Sequence, residues 1–175
     1  MRQLTCEPEP CFRTERELED ALGEHIRRAF SGVVVRGFGL DLAAFNETAE
    51  GNVRTSFFEI KVYSPASARC GIGNQRGEGN QIRLLLDDAG QAHRNGSQIA
   101  LLDQSVRWVL GDCSQNVGSR RFLFFSCRQA QDAAMGGRIY VGKQNNLRLS
   151  VFNGLWLTWP ELIERVDDFV HGHSP

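Results

Sequence analysis

The chain has 175 residues, 41% of them hydrophobic, with 20 Lys and Arg against 21 Asp and Glu and a net charge of −1. That length suits one domain that can bury a full core without disulfides or a structural metal, and the composition excludes disordered and fibrous architectures. No apolar run reaches the roughly 20 residues of a membrane span, and the near-neutral total speaks against coating nucleic acid by bulk charge.

Met1 to Pro10 holds acids and prolines, so it reads as an N-terminal extension (residues 1–12) and not as a signal peptide. The first helix is expected near Thr14 to Phe30. Thr14 and Glu17 form a capping box, and Leu18, Leu22, Ile26, Ala29 and Phe30 recur at helical spacing. Ser31-Gly32 ends it. Val33 to Phe45 is rich in β-branched and apolar residues and reads as a strand with a Gly-rich middle at Gly37 and Gly39. Glu50-Gly51-Asn52 is a turn candidate, and Thr55 to Tyr63 a second strand. On it Phe58, Ile60 and Val62 face one way, and Phe57, Glu59 and Lys61 the other.

Ser64 to Asn80 is polar and Gly-rich, and Ile82 to Leu86 fits strand and helix equally. After a loop, Ser97 to Leu110 reads as a helix, with Ser97 as its cap and Trp108 and Val109 on its apolar side. Arg121 to Cys127 is a continuous apolar run, expected as a central strand covered on both faces. Arg138 to Gly142 and Leu147 to Phe152 look like strands around an Asn145-Asn146 turn. The last helix spans about Pro160 to Val170, behind a second capping box of Thr158 and Glu161. Trp156 and Trp159 before it read as core or dimer contacts, and residues 171–175, with His171 and His173, as a flexible tail. The order predicts a single α/β domain, a sandwich with a mixed sheet and helices on both faces.

Cys6, Cys11, Cys70, Cys113 and Cys127 are odd in number and match no zinc spacing. They are expected as reduced thiols in a cytoplasmic protein, with Cys127 buried.

The candidate chemistry lies in the hairpin. With the turn centred near Glu50-Gly51, strand positions summing to about 100 face each other, so Asp41 falls opposite Glu59 and Lys61 shares their face. A bare acid pair repels itself and needs a cation. Two carboxylates, a backbone carbonyl and waters make a hard-oxygen site suited to Mg²⁺ or Mn²⁺, which would stabilise a scissile phosphate and acidify an attacking water. Lys61 can hold or deprotonate that water, or offset transition-state charge. Only Lys61 and Lys143 are lysines among 18 arginines, a bias that fits a GC-rich genome.

Asp41 in Gly39-Leu40-Asp41-Leu42, followed by Glu59-Ile60-Lys61 after Ser56-Phe57-Phe58, resembles the motif of the PD-(D/E)xK nuclease superfamily. The helix start Glu15-Arg16-Glu17-Leu18 is similar to the opening helix of archaeal Holliday-junction resolvases in that superfamily. The resemblance implies a restriction endonuclease-like three-layer sandwich and a metal-dependent endonuclease acting on nucleic acid, DNA first. It implies Asp41, Glu59 and Lys61 as catalytic residues, Asp41, Glu59 and Glu15 (or Glu19) as metal ligands, and leaves room for a homodimer. Leu40 stands where many members have Pro. The Gly-rich stretch Cys70 to Gln81 reads either as a plain flexible connection or as a substrate-contacting loop that offers Asn74, Gln75, Arg76 and Gln81 as substrate-binding side chains, with Arg69 and Arg83 adding charge. Arg120, Arg121 and Arg128 are candidates for a basic rim.

Two rival readings use the same residues: a catalytically weak or inactive nucleic-acid-binding or complex-forming module of the same fold, and a plain α/β domain with a surface salt bridge. A separation of Asp41 and Glu59 carboxylates beyond about 8 Å would end the nuclease reading, because one ion spans only about 2.0–2.6 Å to each oxygen.

Overall fold

Both predicted capping boxes open helices in the computed structural model, which describes residues 8–30, 33–35, 40–64, 69–74, 96–113, 116–137, 139–141 and 144–172. Helix α1 (Glu15–Ala29) starts at Thr14, whose hydroxyl accepts from the Glu17 N–H while Glu17 accepts from the Thr14 N–H. The last helix, α4 (Trp159–His171), starts at Thr158 with Glu161 closing the same box, and stops at Gly172, whose φ of +83° suits the left-handed cap. His171 is thus still helical; its ring lies 4.6 Å from that of Phe30.

Between them, β1 (Val33–Val35), β2 (Leu42–Glu47), β3 (Val53–Tyr63), β5 (Val106–Asp112) and β6 (Phe122–Ser126) form one sheet in the order β1-β2-β3-β5-β6. It is mixed: β3 and β5 run parallel, and the other neighbours antiparallel. Helix α2 (Gly96–Ser105) lies in the crossover from β3 to β5. A second sheet, β4-β8-β7, is built from β4 (Arg69–Asn74), β7 (Ile139–Val141) and β8 (Gln144–Arg148). Helix α3 (Cys127–Gly137) follows β6 directly.

Strand alternation sorts the core into two layers. Phe58, Ile60, Val109 and Phe122 pack with α1 and α4, whereas Trp108, Leu110, Leu123 and Phe125 pack with α3 and the second sheet. The main sheet is therefore flanked by helices on both faces, as the order of elements predicts. No helix among the described residues is long and apolar enough to cross a membrane.

Several expectations are corrected. Val33 to Phe45 is two strands, because the chain folds back after Val35 and pairs Val33 with Phe45 and Val35 with Ala43. The segment Ser97 to Leu110 is helical only to Ser105. Val106, Trp108, Val109 and Leu110 are all buried, and a β-branched and aromatic run covered on both sides is better accommodated as a central strand. Strand β6 is covered on both faces, but it lies at the sheet edge and not at its centre. Asn145 and Asn146 pair within β8 opposite Tyr140 and Ile139, so the reversal falls earlier. Leu149–Phe152 is a 3-10 turn and not strand.

Helix α3 has its own signal, a third box of Ser126-Cys127-Arg128-Gln129. The Ser126 N–H donates to the Gln129 side chain at 2.9 Å, and the Gln129 N–H to the Ser126 hydroxyl at 3.2 Å.

Residues of the N-terminal extension also pack inward. Phe12 is buried, and Arg120 stacks 4.5 Å over its ring while donating to the Pro10 carbonyl. Arg120 itself is 1% exposed, so it is a core residue and no part of a basic rim. Beneath Phe12 lies Gly111 of β5, where an added Cβ would meet Leu18 at 2.6 Å and Phe12 at 2.9 Å. Both neighbours are buried and have no room to retreat. Gly111→Ala is therefore expected to lower the unfolding free energy by about 1–3 kcal/mol through overpacking, as read by urea denaturation.

Cys11, Cys70, Cys113 and Cys127 are free thiols. Burial pushes Cys70 up to about 12 and Cys127 up to about 11. Brief alkylation of the native protein with peptide mapping should modify exposed Cys11 and spare Cys70 and Cys127.

A candidate site of three carboxylates around Lys61

The hairpin register is the one that places the acids together. Leu42 pairs with Phe58, the turn at Gly51 takes φ +78°, and the next position outward sets Asp41 opposite Glu59. Asp41 just precedes β2 and is fixed by backbone: its N–H donates to the Phe58 carbonyl at 3.1 Å, and its Oδ2 accepts the Ile60 N–H at 2.6 Å. This clasp holds the carboxylate against the middle of β3.

Lys61 sits at the centre of the cluster. Its Nζ lies 2.8 Å from Glu59 Oε1, 3.2 Å from Glu15 Oε2 and 3.7 Å from Asp41 Oδ2, and it donates to the Ile60 carbonyl at 2.8 Å. The spans to Glu59 and Asp41 laid end to end fall short of the 8 Å ceiling set from the sequence, so those two oxygens pass that test. Burial is graded. Glu59 is 1% exposed and Lys61 6%, whereas the side chains of Asp41 and Glu15 are 23% and 44% exposed. A surface salt bridge would not bury Glu59 and Lys61 this far, so the plain surface-pair reading does not describe this cluster.

Burial alone would push the Lys61 ammonium down, but attraction from Glu59, Asp41 and Glu15 outweighs it and the net shift is upward. The folded state holds this proton more tightly than the unfolded chain does. The pairing thus stabilises the fold through the neutral range and is lost only on strongly alkaline titration. With that proton retained, Lys61 is a donor and a positive charge at the centre of the three carboxylates.

The donors are all hard oxygens, the chemistry that suits Mg²⁺ or Mn²⁺. Among the described residues, no group of three or more His, Cys, Asp and Glu is arranged to hold a metal by itself. A cation here would rest on Asp41, Glu59, the local backbone and water. Glu15 reaches the cluster through Lys61.

Cys70, at the head of β4, is buried close enough for Lys61, Glu15 and Glu59 to act on its thiol. The sequence marks it only as the start of the Gly-rich stretch. Asn74 ends β4 and pairs with Gln144 in the backbone ladder. Gln75, Arg76, Gln81 and Arg83, with Ile82 to Leu86, lie outside the described residues, as does Lys143. Trp159 is buried in the core beside Phe122, and Trp156 packs 5.5 Å from Tyr63, which fits the core reading of both. Arg128 is exposed and paired with Asp103 on another part of the surface.

No protein-family model, no curated protein and no solved structure matches the chain.

Proposed function

We propose that the chain is a divalent-metal-dependent nuclease that hydrolyses phosphodiester bonds, with DNA as the first substrate to test. The observation that carries this reading is the convergence of Asp41, Glu59 and Glu15 on the buried ammonium of Lys61, at hairpin positions that resemble the PD-(D/E)xK motif. The mixed sheet flanked by helices supports a restriction endonuclease-like reading of the fold.

Asp41 and Glu59 are the residues that would hold Mg²⁺ or Mn²⁺. A bound ion of that kind neutralises charge on a phosphate and acidifies a coordinated water. Lys61, protonated, donates to a phosphate oxygen or to the attacking water and offsets developing negative charge. Glu15, at the start of α1, accepts from that ammonium, and so does the Ile60 carbonyl.

Asp41→Asn is the cleanest test. Its amide oxygen can still accept the Ile60 N–H, so the hairpin clasp survives while one cation-binding charge is removed. In a plasmid and branched-DNA cleavage assay with Mg²⁺ or Mn²⁺, wild type should cleave, and Asp41→Asn should lose about 100-fold or more of that rate at unchanged thermal midpoint. Cleavage equal to wild type would reject Asp41 as a site residue. A wild type that binds DNA and never cleaves it would favour the binding-module reading.

A further inference from the structure

A polar cavity of about 480 Å³ lies away from the acid cluster. Arg54 of β3, Asp103 of α2, Arg107 of β5, Arg128 of α3, and Phe169 and Gly172 at the end of α4 line it. Arg54 stands seven positions before Lys61 on the same strand, roughly 23 Å at the usual strand rise. Strand parity puts Arg54 on the α1 and α4 face and Lys61 on the other. Arg54 and Lys61 therefore sit on opposite faces and toward opposite ends of β3.

The charges in this cavity do not balance: three guanidinium groups meet one carboxylate. Asp103 is already engaged, since it accepts from Arg128 Nε at 3.0 Å and from the Arg128 N–H at 2.9 Å. Neither Arg54 nor Arg107 forms an ion pair among the described residues. Arg107 is held in place all the same. Its guanidinium lies 4.4 Å over the Phe169 ring and donates to the Asp103 and Val106 carbonyls. Buried Nε of Arg54 has no hydrogen-bond acceptor among the described residues. The Arg54 head packs against Gly172, where a Cβ would meet its Nη1 at 2.8 Å. The carbonyl end of α4 offers it only about half a negative charge.

Guanidinium groups that line one concave site with surplus positive charge are suited to a tetrahedral oxyanion, which they can bind through N–H donors. We propose that this cavity binds a phosphate group through Arg54, Arg107 and Arg128. Its source is either a small phosphomonoester or the backbone of a nucleic acid.

The test titrates the full chain at constant ionic strength with inorganic phosphate, and separately with an oligonucleotide lacking terminal phosphates. Saturable binding is expected, weakened about tenfold or more in Arg54→Gln and in Arg128→Gln. Saturation by inorganic phosphate identifies a small phosphomonoester as the source. Saturation by the oligonucleotide alone, lost in both variants, identifies nucleic acid; either result supports the site. No saturable binding of either probe, or equal binding by wild type and variants, overturns it. Arg128 is exposed, so its variant decides the matter if Arg54→Gln does not fold. Asp41→Asn, which removes a charge from the Lys61 cluster and does not line this cavity, should keep the phosphate binding, which separates the two sites.

Discussion

Lys61→Ala is expected to lower the unfolding free energy by about 3–5 kcal/mol, the usual cost of stranding one member of a buried ion pair. Glu59 is 1% exposed and stays behind as a charge without its 2.8 Å partner, in a layer otherwise filled by Trp108, Leu110 and Phe125. Adding Glu59→Gln to Lys61→Ala should recover part of the loss, because the remaining group is then neutral. Urea denaturation of both variants checks this. If the double variant is no more stable than Lys61→Ala, the pair is not what sets the cost. The result also governs how cleavage data are read. Activity lost in Lys61→Ala can reflect a damaged fold, and only its loss in Asp41→Asn at unchanged stability speaks for chemistry.

Trp108→Ala carries the second large effect. This indole is fully buried on β5, between β3 and β6, and stacks on Phe125 at 6.0 Å with 17° between the rings. Truncation removes the whole indole from the layer between the main sheet and α3, and neighbouring strands fixed by two ladders cannot close around the void. A loss of about 3–5 kcal/mol is expected. Against a typical stability of about 5–15 kcal/mol, that is a large share. Calorimetry should show a midpoint lowered by roughly 10 °C. A shift near zero would mean that this layer collapses around the cavity, contrary to its two-ladder support.

The parts of the fold that are legible in the sequence share one property: their signals are local. Thr14 with Glu17 and Thr158 with Glu161 mark helix starts because each box is closed by its own four residues. The pairing of Leu42 with Phe58 follows from turn arithmetic alone, and that register brings Asp41 to Glu59. The errors come from tertiary context. Nothing in Leu102 to Leu110 punctuates the change from helix to strand at Val106, since neither Gly nor Pro intervenes. The parallel ladder with β3 decides it. Gly37 and Gly39 are consistent with a strand interior, and only the antiparallel pairing of β1 with β2 shows that Val33 to Phe45 is not one strand. In the site, Lys61 and Glu59 were readable as neighbours on one face. The depth of their burial was not, because it depends on a second sheet contributed by residues far along the chain.

Strand β3 has one further consequence, which concerns length and not identity. Phe58 and Ile60 serve the layer packed on α1 and α4, and Glu59 and Lys61 serve the opposite one. A substitution disturbs one of these duties at a time. Deleting a single residue between Gly51 and Arg54 would exchange all of them together, turning Phe58 and Ile60 toward the carboxylates and two charges into the aromatic layer. The strand can thus tolerate drift in its letters far better than any change in their number.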